Sequence, residues 1–259
     1  MRRRLIFTVD LDRDANLPLE GSIAAGSMDR GSGTGPRFSS AERGLGLLLE
    51  ILDSLGVPGT FFVEGRTAET IDCSAVSGHM VGFHGYDHED LTGASTGVIP
   101  DDDALESILR KGFDAVSDNV ARPVCFRAPY MSKDDGVLAA VSGLGIRHDS
   151  SEYTTGDPTP YPIACGMTEH PVPKGKDASG KTIAAYLWPM HEGKRTPEDY
   201  IGLAEQYGGD FILATHTWHM VERREAGIMD DSAIRKNSEN VSAVLEGIMD
   251  LGFEPSVLF

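Results

Sequence analysis

The sequence predicts an α/β fold, and three features of its pattern lead to this prediction. Short apolar segments rich in β-branched and aromatic residues recur along the chain, which is typical of buried strands. Segments with apolar residues at helical spacing lie between most of them, and most of the links are short. This alternation is typical of a parallel barrel or a doubly wound sheet. The length of 259 residues, 40% of them hydrophobic, fits one domain over residues 1–259.

The predicted elements follow one another in a regular order. The first strand is expected at residues 5–11, and residues 14–40, rich in Gly, Ser and Pro, are expected to form a long loop after it. Ser39 and Glu42 fit a capping box at the start of a helix that Gly56 ends. The other strands are predicted at residues 59–63, 79–84, 123–127, 146–149, 170–172, 184–188, 211–215 and 255–258. The other helices are predicted at residues 101–117, 134–144, 197–206 and 232–251.

The charge of the chain disfavours two classes of partner. Lys and Arg number 23 against 40 Asp and Glu, so the formal net charge is −17. Such a surface repels nucleic-acid phosphates and anionic membranes, and we expect neither as a partner. No apolar run approaches the roughly 20 residues that cross a bilayer. The sequence leaves homo-oligomer formation open.

Two features lead us to expect a cytoplasmic protein. Residues 2–4 are arginines, but too few apolar residues follow before Asp10 to form the hydrophobic region of a secretion signal. Cys73, Cys125 and Cys165 are odd in number, far apart and free of any C-x-x-C pairing. This usage suits buried thiols in a reducing compartment.

Two aspartates at the end of the first strand are candidates for a site. Asp10 and Asp12 share one face of the strand, because side chains repeat every two residues. Two carboxylates this close favour a bound cation that neutralises them. The alternative is a pair of solvated acids at a strand end.

His84 and His88 follow another predicted strand and are four residues apart. In a helical turn this spacing puts both imidazoles on one face, a common arrangement for metals such as zinc. Histidines at this spacing also arise by chance on surfaces. The aspartate pair at a neighbouring strand end strengthens the metal interpretation.

Further candidates lie after later strands. Arg127, in the motif Arg127-Ala-Pro-Tyr130, precedes a Pro-fixed turn that can hold it toward a carboxylate, although a surface arginine is the alternative. His216 ends a strand where a barrel presents catalytic groups, and His219 competes with it. Trp188 and Trp218 could each stack on a sugar or fill the core.

These motifs together resemble those of the polysaccharide deacetylase family (NodB homology, carbohydrate esterase family four), over residues 8–219. The resemblance implies an irregular (β/α) barrel of about seven parallel strands. It also implies that Asp12, His84 and His88 bind a divalent metal, Zn²⁺ or else Co, Ni, Mn or Fe, and that Asp10 is the catalytic base. The remaining implied roles are orientation of the base by Arg127, an oxyanion contact from the Tyr130 main chain, protonation of the leaving group by His216, and support of His216 by Asp149.

The chain departs from many members of the family in one respect: Leu11 separates the two aspartates, which are usually adjacent. The separated form is similar to a subgroup with cytoplasmic peptidoglycan-deacetylase-like proteins and metal-independent allantoinases. Because all three metal ligands are present here, the resemblance implies a metal-dependent hydrolase that removes an acyl group, N-acetyl above all, from an amino-sugar-containing or related small amide substrate. A cyclic amide or ureide hydrolase of the allantoinase type and an inactive saccharide-binding relative remain alternatives. Residues 14–40 are the candidate wall or lid of the site.

Overall fold

A computed structural model describes residues 3–259, so the basic start of the chain lies partly outside the described residues. The strands are β1 (Arg4–Leu11), β2 (Asn16–Leu17), β3 (Gly26–Ser27), β4 (Thr60–Val63), β5 (Met80–Phe83), β6 (Cys125–Phe126), β7 (His148–Asp149), β8 (Tyr153–Thr154), β9 (Tyr161–Pro162), β10 (Thr168–Glu169), β11 (Val172–Lys176), β12 (Thr182–Ala184), β13 (Asp210–His216), β14 (Glu222–Arg223), β15 (Gly227–Ile228) and β16 (Glu254–Ser256). The helices are α1 (Ser39–Leu55), α2 (Gly65–Thr70), α3 (Asp102–Asn119), α4 (Asp135–Gly143), α5 (Trp188–His191), α6 (Pro197–Ala204) and α7 (Asp231–Asp250).

The main sheet runs in the order β13-β1-β4-β5-β6-β7-β10, and all of these strands are parallel. β9 adds an antiparallel edge beside β10, and β16 pairs with β1. Beyond β12 the chain returns to the free side of β13, where Tyr186 pairs with Ala214. The parallel sheet therefore curls into a half-barrel, which agrees with the predicted α/β class and with a barrel rather than a flat doubly wound sheet.

The core lies between this sheet and the helices that cover it. β1 is buried on both faces, as expected for a central parallel strand, and Leu5, Ile6 and Phe7 are fully buried. Helix α1 buries an apolar stripe that includes Leu45 and Leu48. Each fully buried aliphatic side chain of this kind stabilises the fold by roughly 1.5–3 kcal/mol.

Close approach of α1 to the segment after β13 requires a glycine. A Cβ atom on Gly44 would lie 1.9 Å from the carbonyl oxygen of Thr217. Any larger residue would push the helix away from the residues that follow His216. Gly44 thus helps to set the position of the C-terminal end of β13.

The predicted capping box at Ser39 is wrong. Phe38 is the residue before the helix and makes no side-chain cap, while Asp14 accepts hydrogen bonds from the Ala41 N–H (2.8 Å) and the Ser39 hydroxyl (3.2 Å). A carboxylate that the folded loop brings to a helix N-terminus is a stronger acceptor than a local hydroxyl. Gly56 ends the helix in the left-handed region, at φ +63°, as predicted.

Other differences concern short elements that have no measurable periodicity. Residues 14–40 contain the β2–β3 hairpin, helix α2 was not predicted, and Trp188 begins helix α5 instead of ending a strand. Cys73 and Cys125 are buried as expected, but Cys165 is exposed. No helix within residues 3–259 is both long and apolar enough to cross a membrane.

Helix α5 is tied to the barrel by His191, which is buried with both ring nitrogens engaged. Nδ1 lies 2.6 Å from Oδ1 of Asn237 in α7, and Nε2 lies 2.8 Å from the Thr215 hydroxyl in β13. Burial lowers the pKa of His191 from 6.5 to about 4. The folded protein therefore holds this imidazole in its neutral form.

We expect the fold to lose stability as the pH falls below about 6.5, in part through His191. Between pH 6.5 and 4 the unfolded chain binds a proton on this residue and the folded chain does not, so acid favours unfolding. From pH 7 to pH 5 this residue alone should lower the free energy of unfolding by about 2 kcal/mol. Urea unfolding at pH 7 and at pH 5 measures this change in the free energy of unfolding. The change should be smaller in His191→Gln than in the wild type. In the control His79→Gln it should decrease less, because His79 is only half-buried. An unchanged pH dependence in His191→Gln would contradict the assignment.

Candidate active site

Strand β1 delivers two carboxylates to the C-terminal edge of the sheet. Asp10 is its penultimate residue and lies in register with His216 of β13, and Asp12 follows directly after the strand. Asp10 and Asp12 are 2% and 0% exposed. Because both carboxylates are buried, the alternative of two solvated acids at a strand end is wrong.

Strand β5 delivers the histidines to the same edge. His84 follows β5 directly, and His88 lies in the loop beyond it with φ +48°. The structure brings Asp12, His84 and His88 together, so that one ligand atom from each lies within 4.8 Å of the others. His84 Nδ1 lies 2.7 Å from the carbonyl oxygen of Arg127, a bond that fixes the ring and leaves Nε2 free to face a metal.

The three residues fit a divalent metal. Asp12 Oδ1 and His88 Nδ1 are buried and have no hydrogen-bond partner among the described residues. Burial raises the pKa of Asp12 to about 6 and lowers that of His88 to about 4, so the imidazole is neutral, the form that binds metals. A buried carboxylate beside two neutral imidazoles is stabilised by a cation and is a common zinc ligand set.

Asp10 is held by two donors. Arg127 Nη1 donates to Oδ1 at 2.8 Å, and the Tyr186 hydroxyl donates to Oδ2. Burial by itself raises the pKa of Asp10, but the Arg127 charge, the nearby histidines and the Tyr186 hydrogen bond lower it to about 2. Arg127 is itself fixed, because it also donates to the Thr8 hydroxyl and to Ser150. Asp10 is therefore an ionised carboxylate with a fixed orientation.

Asp10, His84, His88 and Tyr186 line a cleft of about 600 Å³. Its lining residues are Asp10, Asn16, Pro18, His84, His88, Ala128, Tyr130, Met131, Tyr153, Thr182, Ile183, Ala184, Tyr186, Trp188, Pro189, Arg195, His216 and Arg224. His88, Tyr130 and Met131 all adopt positive φ, an unfavourable conformation for these residues. Backbone strain of this kind often occurs at functional sites. A larger groove of about 700 Å³ around Lys174 contains neither histidine nor paired carboxylates.

The structure distinguishes the two candidate histidines by position. His216 lines the cleft, with Nε2 at 3.1 Å from the Tyr186 hydroxyl and 4.0 Å from Oδ2 of Asp10. His219 is fully buried and turns Nε2 to Glu192, at 3.1 Å. His216 is therefore the histidine that can reach a substrate.

The two tryptophans also differ. Trp188 lines the cleft and is 41% exposed, so it is available to stack on a ligand. Trp218 is fully buried in a small cluster with Ala15 and Ala41. Trp218 is therefore core, and its ring packs 5.3 Å from that of His216.

Asp149 does not support His216 in the structure, which corrects the expectation drawn from the resemblance. Its carboxylate accepts from Lys133 Nζ and from the Ser151 hydroxyl, each at 2.6 Å. Lys133 also donates to Glu169 at 2.6 Å, so this buried cluster braces the turn that carries Arg127 rather than a catalytic histidine. His216 Nδ1 has no partner among the described residues.

Sequence reasoning missed several residues of the site. Tyr186 bridges Asp10 and His216; it lies inside the strand predicted at residues 184–188, where no motif indicated a role for it. Arg13 and Asp87 form a partly buried ion pair and stand next to Asp12 and His88 in the sequence. Because charged residues directly next to candidate metal ligands often belong to the same site, their positions in the sequence could have indicated them.

If Asp10 acts as a base in this cleft, loss of the Tyr186 hydroxyl should slow turnover without disturbing Asp12, His84 and His88. Tyr186→Phe removes one of the two donors to Asp10, and a hydrogen bond to a charged group contributes about 1.5–3 kcal/mol, so kcat should fall about 10- to 100-fold. Metal content should not change. Tyr153→Phe is the matched control, because Tyr153 lines the same cleft without a hydrogen bond to Asp10. Equal effects of the two variants would contradict the assigned contact.

Sequence comparisons connect this site to known proteins. The family model for polysaccharide deacetylases matches residues 35–148, which include His84, His88 and Arg127. A peptidoglycan deacetylase-like protein of Gibberella zeae is 32% identical over 159 residues, covering 58% of this chain and 44% of that protein. A chitin deacetylase of Arthroderma benhamiae is 31% identical over 148 residues, covering 52% of this chain and 38% of that protein. The matches thus span less than half the length of these relatives.

Solved structures share the fold over nearly the whole chain. A protein of Mycobacterium smegmatis, provisionally assigned as a polysaccharide deacetylase, superposes with a TM-score of 0.61 at 24% identity, covering 99% of this chain and 93% of that one. A family 4 carbohydrate esterase of Streptomyces lividans gives a TM-score of 0.53 at 12% identity, covering 98% and 92%. These likenesses confirm the predicted fold class. The matched family model and the relatives show that this chain is similar to polysaccharide deacetylases over part of its length.

Proposed function

We propose that this protein is a metal-dependent hydrolase that removes an acyl group, N-acetyl above all, from an amino-sugar-containing substrate. One observation carries the proposal: Asp12, His84 and His88 form a buried triad beside an ionised Asp10, and Asp10 and both histidines line a cleft. A metal-ligand set with a separate fixed base is the combination that hydrolysis of an unactivated amide requires. One relative is named a chitin deacetylase and another a peptidoglycan deacetylase-like protein, which supports N-acetylated amino sugars as the substrate class.

Asp12, His84 and His88 would hold the metal, and we propose Zn²⁺. One carboxylate and two imidazoles suit zinc, and cobalt, nickel, manganese and iron also accept this set. When bound, such a metal polarises the acyl carbonyl and makes water acidic enough to react near neutral pH.

Side chains of the protein transfer the protons. Asp10 accepts a proton from the attacking water, and Arg127 and Tyr186 keep its carboxylate ionised and aimed. His216, 4.0 Å from Oδ2 of Asp10, receives the proton that Asp10 took from water and passes it to the departing amine, so that a free amine and a carboxylate leave. Tyr130 lines the cleft, and we propose that its main-chain N–H contacts the developing oxyanion. Trp188 offers an exposed ring face to the sugar.

The test couples metal analysis to acetate release. Purified protein should contain about one divalent metal per chain and release acetate from a panel of N-acetylated sugars. A chelator should abolish release, and added Zn²⁺ should restore it. His84→Gln should lose both metal and activity, whereas the control His148→Gln, at a strand away from the triad, should keep both. Acetate release that survives complete removal of metal would overturn the proposal.

An inactive binding protein is the second candidate, and one comparison favours it. A family 4 pseudoenzyme of Bacillus anthracis has the same fold, with a TM-score of 0.55 at 13% identity, so the fold alone does not carry activity. Binding of N-acetylated sugars by metal-loaded protein with no turnover would support this function. Hydrolysis of a cyclic ureide that survives chelation would instead support an enzyme of the allantoinase type.

We further propose a cytoplasmic location, which rests on the sequence. In that compartment the substrate would be an oligosaccharide, a sugar precursor or another small N-acyl compound rather than a finished wall polymer. Fractionation of cells that express the tagged protein tests the location.

A further inference from the structure

A second arginine lines the same cleft, and the proposed reaction does not use it. Arg224 follows the short strand β14, and its guanidinium carbon lies 4.8 Å from the centre of the Trp188 ring. The side chain is partly buried. At this position the Arg224 guanidinium would contact a ligand bound in the cleft.

Arg224 has no carboxylate partner. Of the residues that the structure describes, none forms a salt bridge with it within 4.0 Å; its Nη2 donates to Oδ1 of Asn16 at 3.2 Å, and Nε is buried without a partner. The other arginines of the cleft region are paired, Arg127 with Asp10 and Arg195 with Asp177. Burial lowers the pKa of Arg224, and the nearby Asp12 and Glu192 do not offset that effect. An unpaired arginine is notable in a chain with 40 acidic and 23 basic residues.

The backbone around Arg224 is fixed before any ligand arrives. Arg30 Nη2 donates to the carbonyl oxygens of Arg223 and Arg224, each at 2.8 Å. The Arg224 N–H donates to Glu192 Oε1 at 2.9 Å. Because this part of the wall is already ordered, less entropy is lost when the guanidinium binds a ligand.

We propose that Arg224 binds an anionic substituent, a carboxylate or a phosphate, on the N-acylated substrate. Arg127 already neutralises Asp10, and a divalent metal would neutralise Asp12, so Arg224 is the positive charge of the cleft left for the substrate. A guanidinium binds either oxyanion through two parallel hydrogen bonds, and Trp188 beside it can cover the attached sugar ring. This inference rests on the proposed deacetylase function and narrows it to acidic amino-sugar compounds.

The first experiment compares three substrates: N-acetylglucosamine, its 6-phosphate, and N-acetylmuramic acid, which carries a carboxylate. Wild-type protein should prefer one of the two anionic compounds. In Arg224→Gln the ratio of kcat/KM for that compound to kcat/KM for N-acetylglucosamine should fall about 10- to 100-fold, mainly through KM. The anionic compound that the wild type prefers, and that Arg224→Gln no longer prefers, shows whether Arg224 binds a phosphate or a carboxylate. Arg43→Gln, which breaks an exposed ion pair on α1, should leave the ratio unchanged.

Two outcomes would overturn the inference: an unchanged ratio, or an equal loss on neutral and anionic substrates, which would place Arg224 at the reacting centre. A binding measurement separates this result from failure of the proposed function. Calorimetry of the two anionic compounds with metal-loaded Asp10→Asn protein, with and without Arg224→Gln, needs no turnover. Binding that is equally tight, or absent, in both proteins counts against the role of Arg224 even if no acetate is ever released.

Discussion

Replacing Asp10 with Asn is expected to lower kcat by about a thousandfold, since a positioned general base contributes roughly 10²- to 10⁴-fold. Asn has nearly the shape of Asp but cannot accept the proton of the attacking water. Arg127 keeps its bonds to Thr8 and Ser150 in this variant, and an Asn oxygen can still accept from it. Metal content should therefore stay at the wild-type level, because the triad Asp12, His84 and His88 is untouched. Acetate release and metal analysis of the same sample measure both effects.

The control for this variant is Asp210→Asn. Asp210 begins β13 at the opposite end of the sheet and pairs with Arg4, so its charge is lost far from the cleft. Its kcat should remain within about twofold of wild type, because a distant change leaves the reacting groups in place. If Asp10→Asn kept more than a tenth of wild-type turnover, another group would have to act as the base.

Much of the site could be predicted because it follows from strand ends. Asp10 and Asp12 alternate on one strand, and parallel strands bring their C-terminal ends to one edge, so the meeting with His84 and His88 is a consequence of topology. The register of β1 and β13 places His216 beside Asp10 for the same reason. Local sequence and strand order are sufficient for these residues.

The other residues depend on tertiary contacts that no local pattern encodes. Tyr186 reaches Asp10 only because the chain after β12 returns to β13, a pairing of two residues far apart in sequence. Asp14 replaces the predicted cap of α1 because a long loop folds back on it. Asp149 pairs with Lys133, and four strands of the main sheet lie between β7, which carries Asp149, and β13, which carries His216.

The largest effect on stability is expected from Arg127→Met. The guanidinium is fully buried, packs 4.3 Å from the Phe62 ring centre, and donates to Thr8, Asp10 and Ser150. Its removal leaves the Asp10 carboxylate buried without a counter-charge, and breaking a buried pair in this way costs about 3–5 kcal/mol. Urea unfolding followed by circular dichroism should show that loss. Arg43→Met, which breaks an exposed pair with Asp231, should cost less than about 1 kcal/mol.

The double variant Asp10→Asn with Arg127→Met separates charge from packing. If the loss in Arg127→Met comes mainly from the orphaned carboxylate, then an uncharged residue at position 10 removes the cause, and the double variant should be more stable than Arg127→Met alone. If the loss comes instead from the cavity and the broken bonds to Thr8 and Ser150, the two changes should be additive. A recovery of more than about 1 kcal/mol in the double variant exceeds the error of such cycles, and would show that the main structural task of Arg127 is to neutralise the base.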